Sequence, residues 1–225
     1  MKKITFITGT DTGVGKTLLT AFLLFHLRQK GAQALAMKPF CSGGLGDVHL
    51  LQSLQKGELS DAEMNPFYYS KPVAPYAAAK KGKKLRLEHV LEKIAGVAEK
   101  CDRLLIEGSG GLLVPLAEGF TVANLIRQLD CKVTVVGHNR LGTINHTLLT
   151  VKHLQSVEKK KAISVVLMGK RVKDVSSGSN VEVLRHFLPG IEVSELPYLG
   201  TRVVSKRQIL EKYSIVKPIF EGLTK

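Results

Sequence analysis

The residues best suited to chemistry lie in a glycine-rich segment, residues 9–17, with the sequence GTDTGVGKT. Its glycines permit backbone angles that other residues resist, so successive N–H groups can turn toward a bound polyphosphate. The lysine can reach the outer phosphates of a nucleoside triphosphate, and the hydroxyl of the following threonine can bind Mg²⁺. The segment therefore predicts a phosphate-binding loop, with nucleotide contacts expected from Gly13, Val14, Gly15, Lys16 and Thr17.

The loop is a variant of the usual phosphate-binding pattern, which is G-x-x-x-x-G-K-[ST]. Thr10 stands where the first glycine is expected, and Gly9 lies one position earlier. The alternative is a chance glycine-rich turn, but an apolar strand-like run before it and a helical pattern after it favour the phosphate loop. Asp11 occupies the place where deviant P-loop ATPases carry a second lysine, which argues against a partitioning-type ATPase.

A lysine closes the second predicted strand, and an aspartate follows nine residues later. Lys38 is expected beside the phosphate loop, where fixed positive charge stabilises a transferring phosphoryl group. The alternative is an ordinary surface lysine, but Pro39 and the Ser-Gly-Gly turn that begins at Ser42 indicate a shaped loop. Asp47 is either a helix N-cap or a Mg²⁺ ligand, because Mg²⁺ prefers carboxylates, phosphate oxygens and water.

An acidic residue ends the third predicted strand and is followed by a glycine-rich turn, residues 107–111, with the sequence EGSGG. This is the place of a Walker-B-type acid in a P-loop fold. Burial of an acid beside an apolar strand is costly unless it is paired or bound to metal, so Glu107 is predicted to bind Mg²⁺. The glycines that follow, Gly110 among them, would let a substrate approach the backbone closely. A simple β-turn is the alternative, but it does not explain the position of the acid.

Apolar runs of strand length alternate with amphipathic stretches of helix length along the chain. Strands are predicted at residues 4–8, 35–38, 104–107, 133–137, 163–168 and 191–196, and helices at residues 16–30, 87–100, 122–129, 144–157 and 180–187. The strands are nearly continuous in apolar residues, which is typical of a parallel sheet covered on both faces. The pattern predicts one domain over residues 1–225, a doubly wound α/β fold of the P-loop NTPase type with a mainly parallel sheet and helices on both faces. Ligands of such sheets bind at the carboxyl ends of the strands.

Composition excludes several classes of function. The formal charge is +14, with basic clusters at residues 80–84 and 159–161, but no nucleic-acid-binding motif accompanies them. We expect a solvated surface that attracts small anions, and no nucleic-acid partner. The three cysteines lack a CxxC pair and are expected to be reduced. No apolar run is long enough for a membrane span, and no signal-peptide pattern is visible, so a cytoplasmic protein is expected.

Taken together, the motifs resemble the dethiobiotin synthetase family. The resemblance rests on the phosphate loop, the Lys-Pro pair at Lys38, the EGSGG turn and the sequence LGTINH at residues 141–146, in this order. It implies a ligase that uses Mg²⁺ and ATP, or another nucleoside triphosphate, to convert 7,8-diaminononanoate and CO₂ to dethiobiotin in biotin biosynthesis. The route implied runs through a carbamate and a carbamic-phosphoric anhydride.

The resemblance also implies roles for individual residues. Thr17, Asp47 and Glu107 match the family's Mg²⁺ ligands, and Lys16 and Lys38 match lysines that hold the phosphates and the carbamate. Further matches line the reacting centre, bind the substrate or flank the base: Thr12, Ser42, Gly110, Gly169, Pro197 and Tyr198.

A second subunit is implied as well. In the family, the helix that begins in the LGTINH motif binds the carboxylate tail of the substrate held by the neighbouring subunit, which is an anion at a helix N-terminus. The corresponding residues are Gly142, Thr143, Ile144 and Asn145. A homodimer with its active site at the interface is therefore expected.

One position departs from the family. The fifth strand commonly ends in an asparagine that recognises adenine, and Gly169 stands there instead. Glycine has no side-chain amide, so weak discrimination between nucleotide bases is predicted.

Three other functions compete with the ligase. A cobyrinate amidase relative needs an added glutamine-hydrolysing domain, for which this chain has no room. A P-loop switch protein needs mobile switch loops, whereas Lys38 and the tight EGSGG turn favour chemistry. A nucleic-acid-binding ATPase is suggested only by the charge.

Overall fold

A computed structural model describes residues 3–79, 85–157, 161–200 and 205–223 of the chain. Within these residues, the main sheet has six parallel strands. They are β1 (Lys3–Gly9), β2 (Ala34–Met37), β5 (Arg103–Glu107), β8 (Cys131–His138), β9 (Ile163–Met168) and β10 (Glu192–Leu196). The spatial order is β10-β9-β8-β1-β5-β2, so the strand that leads into the phosphate loop lies between β8 and β5.

Two small sheets lie outside the main one. β3 (Phe40–Ser42) pairs in parallel with β4 (Phe67–Tyr69), and β6 (Pro115–Ala117) pairs antiparallel with β7 (Phe120–Thr121). This pairing fixes β3, which begins shortly after the end of β2 and ends at Ser42.

The described helices follow in chain order. They are α1 (Lys16–Gln29), α2 (Gly46–Ser53), α3 (Asp61–Met64), α4 (Pro75–Ala78), α5 (Leu87–Ala98), α6 (Val122–Gln128), α7 (Thr143–Val157), α8 (Asn180–Phe187) and α9 (Lys206–Leu223). A single 3-10 turn, Val175–Gly178, precedes α8.

Successive side chains of the central strands point to opposite faces of the sheet and pack in two different apolar clusters. On one face, Phe6 of β1 and Ile106 of β5 pack in a cluster with α5, α6, α7 and α8. On the other face, Ile7 and Leu105 pack in a cluster with α1, α2 and α9. All four side chains are at most 1% exposed. Helices therefore cover both faces of the sheet, which explains why the strands are apolar at consecutive positions.

The predicted fold class is confirmed, and each predicted strand and helix is present with ends shifted by at most a few residues. No element was predicted after Gly200, yet α9 fills most of that segment and packs against α1. Its buried residues Ile209, Val216 and Phe220 follow a helical spacing, but Pro218 interrupts the pattern that would indicate a helix. The single-domain organisation of residues 1–225 stays a prediction.

Two further features concern possible membrane spans and the basic clusters. None of the helices in the described part of the chain combines the length and apolar character that a bilayer span needs. The basic cluster at residues 80–84 lies outside the described residues, as do residues 159 and 160 of the second cluster.

Candidate active site

The carboxyl ends of the parallel strands open into one large cavity of about 1030 Å³. The phosphate loop follows β1, Lys38 follows β2, and Glu107 closes β5. β9 and β10 contribute the opposite end of the cavity, at Gly169 and at Pro197 with Tyr198. The phosphate loop, Lys38 and the EGSGG turn therefore lie at one cavity, as expected for the carboxyl ends of parallel strands.

The phosphate loop connects β1 to α1 and is shaped by glycines with left-handed backbone angles. Gly13 has φ +73°, and Gly15, the N-cap of α1, has φ +100°. The loop closes on itself through Lys16, whose Nζ donates to the carbonyl oxygen of Asp11 at 3.0 Å. Gly15 also lies against the flexible side chain of Met168, since a Cβ atom there would be 2.9 Å from Met168 Cε. The predicted nucleotide residues 13–17 all line the cavity.

Lys38 lies at the centre of a cluster of oxygen atoms. Its Nζ is 2.5 Å from Oε1 of Glu107 and 2.7 Å from Oδ2 of Asp47. The hydroxyl of Thr17 donates to the same Glu107 oxygen at 2.7 Å. Three elements that are far apart in sequence, namely α1, the β2–α2 segment and β5, therefore meet at one charged centre.

Burial and charge oppose each other at this centre. Burial lowers the pKa of Lys38, but Glu107 and Asp47 outweigh it and hold the pKa above its usual range. Burial raises the pKa of Asp47, but Lys38 and the Thr17 hydroxyl leave it lowered overall. Burial is the main cause that lowers the pKa of Lys16 to about 8, against the attraction of Glu107. Lys38 is therefore protonated over a wide pH range, whereas Lys16 loses its proton at a lower pH than an ordinary lysine.

The same cluster suits a divalent cation. Glu107 is 1% exposed, and its Oε2 has no hydrogen-bond partner within the described residues. A carboxylate oxygen buried without a partner is costly, which favours a ligand at that atom. Carboxylates and a threonine hydroxyl are the oxygen donors that Mg²⁺ takes beside a phosphate group. Thr17, Asp47 and Glu107 therefore fit the metal predicted for them.

The turn after β5 lies against the phosphate loop. Gly110 has φ +65°, and a Cβ atom there would lie 2.6 Å from a methyl group of Val114 and 3.4 Å from Oγ1 of Thr12. Across the cavity, the Ser42 hydroxyl is buried and has no hydrogen-bond partner among the described residues. Thr12, Ser42 and Gly110 line the same cavity as Lys38, and their place at the reacting centre stays a prediction.

At the end of the cavity that is predicted to hold the nucleotide base, backbone groups of β9 and β10 lie close together. The N–H of Gly169 donates to the carbonyl oxygen of Leu196 at 2.7 Å, which joins the ends of β9 and β10. A Cβ atom at Gly169 would lie 2.7 Å from the backbone nitrogen of Tyr198. Position 169 therefore has no space for a side chain, and Tyr198, 45% exposed, is the adjoining ring.

The four predicted carboxylate-binding residues lie elsewhere. Gly142, with φ +89°, precedes α7, and Thr143, Ile144 and Asn145 form its first turn. They are not among the residues that line the large cavity of their own chain. A role in substrate binding therefore requires a cavity other than that of their own chain.

Curated relatives with closely similar sequences carry one name, "ATP-dependent dethiobiotin synthetase BioD". The Bacillus licheniformis protein is 37% identical over 170 residues, 73% of this chain and 72% of the relative. The Methanococcus vannielii protein is 41% identical over 165 residues, 72% and 75% of the two chains. The Clostridium kluyveri protein is 35% identical over 213 residues, 89% and 85% of the two chains.

The chain belongs to the dethiobiotin synthetase family. A family model described as an AAA domain matches residues 3–205, which span both ends of the cavity.

Solved structures support the fold of this family member. The MinC:MinD cell division protein complex of Aquifex aeolicus aligns with a TM-score of 0.55 and 18% identity, covering 96% of this chain and 87% of the other. The hydrogenase maturation factor HypB of Archaeoglobus fulgidus aligns with a TM-score of 0.51 and 15% identity, covering 97% and 90%. At these identities the likeness establishes the P-loop fold alone.

Sequence reasoning missed part of the cavity wall of this dethiobiotin synthetase family member. His138 closes β8 and lines the cavity, so the strand-end rule that singled out Lys38 and Glu107 could have found it. Burial lowers the pKa of His138, and the nearby Lys170 and Arg140 lower it further. Other missed residues had no sequence signal, because they reach the cavity from α2, from the loop before α4 and from the start of α4: His49, Val73, Ala74 and Pro75.

Proposed function

We propose that the chain closes the ureido ring of dethiobiotin from 7,8-diaminononanoate, CO₂ and a nucleoside triphosphate with Mg²⁺. The observation that carries the proposal is the meeting of Lys38, Asp47, Glu107 and Thr17 beside the phosphate loop in one cavity. Membership of the dethiobiotin synthetase family gives the substrate class, because its curated members carry that activity in their names.

The reaction proposed has three bond-forming steps. An unprotonated amine of the substrate adds to the carbon of CO₂ and loses a proton, which gives a carbamate. A carbamate oxygen then attacks the γ-phosphorus, and the bond to the β–γ bridging oxygen breaks, which gives a carbamic-phosphoric anhydride and a nucleoside diphosphate. The second amine attacks the carbonyl carbon, the C–O bond to the phosphoryl group breaks, inorganic phosphate leaves, and the ring closes with loss of a proton.

The chain's residues bind and orient the nucleotide in this scheme. The N–H groups of Gly13, Val14 and Gly15 surround the phosphates, and the N-terminus of α1 adds its partial positive charge. Lys16 neutralises the outer phosphates. Thr17, Asp47 and Glu107 would hold Mg²⁺, which supplies charge neutralisation at the phosphate oxygens when bound.

Other residues orient the diamine and the carbamate. Lys38, Lys16 and Thr12 border the position of the transferring phosphoryl group, where fixed positive charge and donors stabilise developing negative charge. Ser42, whose hydroxyl has no partner in the described part of the chain, and the backbone at Gly110 are proposed to contact the substrate. No side-chain nucleophile is needed, because the main contribution is to hold three reactants together.

A homodimer is proposed to complete the site. Three of the most exposed apolar side chains, Leu141 (78%), Val172 (80%) and Val175 (102%), lie on two loops that are joined by a hydrogen bond from the Leu141 N–H to Asp174. Large apolar side chains exposed at this place support an interface with a second subunit. Leu141 directly precedes Gly142 and α7, and the residues there would reach the carboxylate tail of a substrate in the second subunit: Gly142, Thr143, Ile144 and Asn145.

The proposal also covers recognition of the nucleotide base, the partners and the cellular location. Gly169, Pro197 and Tyr198 are proposed to flank a base that no side-chain amide selects. The charge of +14 suits an anionic triphosphate and a carboxylated substrate, and no nucleic-acid partner is proposed. A cytoplasmic location is proposed, in agreement with three buried cysteines that are widely spaced in the sequence.

One experiment tests this function. The protein is incubated with 7,8-diaminononanoate, bicarbonate and either MgATP or MgGTP, and the products are analysed by mass spectrometry for dethiobiotin and by assay for phosphate. We expect dethiobiotin and phosphate in equal amounts, and little phosphate without the diamine. Equal phosphate release with and without the diamine would overturn the ligase function.

A further inference from the structure

The ammonium group of Lys38 contacts the two carboxylates that are proposed to bind Mg²⁺. Its Nζ lies 2.5 Å from Oε1 of Glu107 and 2.7 Å from Oδ2 of Asp47. The Thr17 hydroxyl, the third proposed ligand, donates to the same oxygen of Glu107. One side-chain cation therefore contacts two of the three proposed ligands, and the third is hydrogen-bonded to one of these two.

Glu107 depends on this cation. It is 1% exposed, and a carboxylate that far from water is unfavourable without an opposite charge in contact. Lys16 is the other lysine that acts electrostatically on this region, but its Nζ is directed to the Asp11 carbonyl oxygen. Among the described residues, the ion pairs of Glu107 and Asp47 are both with Lys38.

An ammonium group and a divalent cation repel each other, and both are drawn to the same carboxylates. The Lys38 stem is a flexible four-carbon chain, and it is 7% exposed at the wall of the cavity where the phosphates are proposed to bind. A cation on the carboxylates would therefore turn the ammonium toward the nearest remaining negative charge. In a cavity that also holds a triphosphate, that charge is the phosphoryl group.

We propose that Lys38 and Mg²⁺ are alternative partners of the Glu107–Asp47 pair, and that the ammonium moves to the transferring phosphoryl group only when the metal takes the carboxylates. The competition itself follows from the contacts, whereas the destination of the ammonium rests on the proposed function. Lys38 thereby acts as a resident counter-ion that couples arrival of the metal to assembly of the catalytic site. A nucleotide bound without metal would lack the Lys38 charge at its outer phosphate.

Direct metal binding tests the competition without any turnover. Lys38→Met removes the charge and keeps an apolar stem, and Lys16→Met is the matched control, because it removes a nearby charge that does not touch either carboxylate. Mn²⁺ binding to each protein is measured by electron paramagnetic resonance at constant ionic strength and without nucleotide. We expect Lys38→Met to bind Mn²⁺ roughly tenfold more tightly than the unaltered protein, and Lys16→Met to stay much closer to it.

Thermal unfolding gives a second readout on the same proteins. Lys38→Met leaves Glu107 buried without its partner, so it should unfold at a lower temperature and recover most of the loss in MnCl₂. Recovery should not occur with KCl of equal ionic strength. If Lys38→Met does not fold alone, its folding on addition of MnCl₂ is the expected result. Failure of excess MnCl₂ to restore it would contradict the proposal.

Two outcomes would overturn the competition. One is unchanged Mn²⁺ affinity in Lys38→Met, and the other is an equal gain in both lysine variants, which would indicate a general field effect. These results are independent of the dethiobiotin assay. Tighter Mn²⁺ binding in Lys38→Met together with no dethiobiotin from the unaltered protein would leave the cation exchange standing and remove the proposed reaction.

Discussion

A side chain at position 169 would collide with the backbone of Tyr198, because a Cβ atom at Gly169 would lie 2.7 Å from the Tyr198 nitrogen. The same Cβ would lie 3.1 Å from the carbonyl oxygen of Leu196, which already accepts the Gly169 N–H. These neighbours are backbone atoms and cannot rotate away. The end of β9 therefore requires glycine, because a longer side chain such as asparagine has no space there.

The first prediction concerns the nucleotide base. Without a side-chain amide at position 169, the base meets backbone groups and the Tyr198 ring, which distinguish purines and pyrimidines poorly. We expect kcat/KM for MgATP, MgGTP and MgCTP to agree within about tenfold, since only a site built to hydrogen-bond a group rejects its analogue strongly. Side-by-side kinetics with saturating diamine measures this. A preference for ATP of several hundredfold would contradict it.

The second prediction concerns the space at Gly169. Gly169→Ala should lower the free energy of unfolding by about 1–3 kcal/mol, because the backbone of residues 196–198 must shift to admit the methyl group. Gly178→Ala is the matched control, since a Cβ at Gly178 meets nothing within 4 Å. Urea unfolding of both variants makes the comparison. Equal stability of the two would mean that the ends of β9 and β10 separate easily.

The third prediction concerns Lys38 in turnover. Lys38→Ala removes the ammonium from the reacting centre and should reduce kcat by at least about a hundredfold, the usual cost of losing a fixed transition-state charge. Binding of MgATP should persist, because the phosphate loop and Lys16 are intact. Isothermal titration with a non-hydrolysable analogue and a steady-state assay separate the two effects. Normal activity in this variant would remove Lys38 from the mechanism.

Much of this site could be predicted from sequence, because the fold rule is strong. In a parallel α/β sheet the carboxyl ends of all strands face one edge. Residues at those ends, such as Lys38, Glu107 and Gly169, were therefore expected to line one cavity. The contact of Lys38 with both Glu107 and Asp47 was not predictable. It depends on the path of the loop through β3 into α2, and loop paths carry no periodic signal.

The other features that could not be predicted from the sequence have similar physical causes. Val73, Ala74 and Pro75 reach the cavity because β4 pairs with β3, a long-range pairing that short apolar runs do not indicate. The helix α9 was missed because Pro218 lies inside it, although its buried residues have helical spacing. The lack of space for a side chain at position 169 could not be predicted either, because a sequence does not show which atoms pack against a glycine.

The fourth prediction concerns the loop before α7. Asn180 is 1% exposed, and its Nδ2 donates to Oδ1 of Asn139 at 2.8 Å and to the carbonyl oxygen of Arg140 at 3.3 Å. Asn180→Ala leaves the Asn139 oxygen buried without this donor, which should cost about 1–3 kcal/mol of unfolding free energy. Urea unfolding measures the loss.

Asn124→Ala is the control for that measurement. Asn124 also accepts hydrogen bonds, from the N–H and the hydroxyl of Thr121, but it is exposed, so water can replace them. It should therefore lose less than half as much stability. A larger loss at Asn124 than at Asn180 would show that the buried network contributes little.

The last prediction concerns pH and Lys16. Burial lowers the pKa of Lys16 to about 8 in the described structure, and a bound polyphosphate favours the protonated form and so raises that pKa. Because the pKa is higher in the complex than in the free protein, binding takes up a proton above pH 8. Affinity for the nucleotide is therefore complete below about pH 7 and falls as the pH rises through 8, by up to about tenfold per unit.

Isothermal titration of a non-hydrolysable MgATP analogue at pH 7, 8 and 9 measures this effect, and buffers of different ionisation enthalpy report the proton taken up. Lys16→Arg is the control, because an arginine keeps its charge across this range. The longer arginine side chain can lower the affinity of Lys16→Arg for the analogue. That affinity should not change with pH through residue 16. Proton uptake that persists unchanged in Lys16→Arg would assign the titration to another residue. His138, which also lines the cavity, would not account for that uptake. Its pKa is below the usual value because of burial and the neighbouring Lys170 and Arg140.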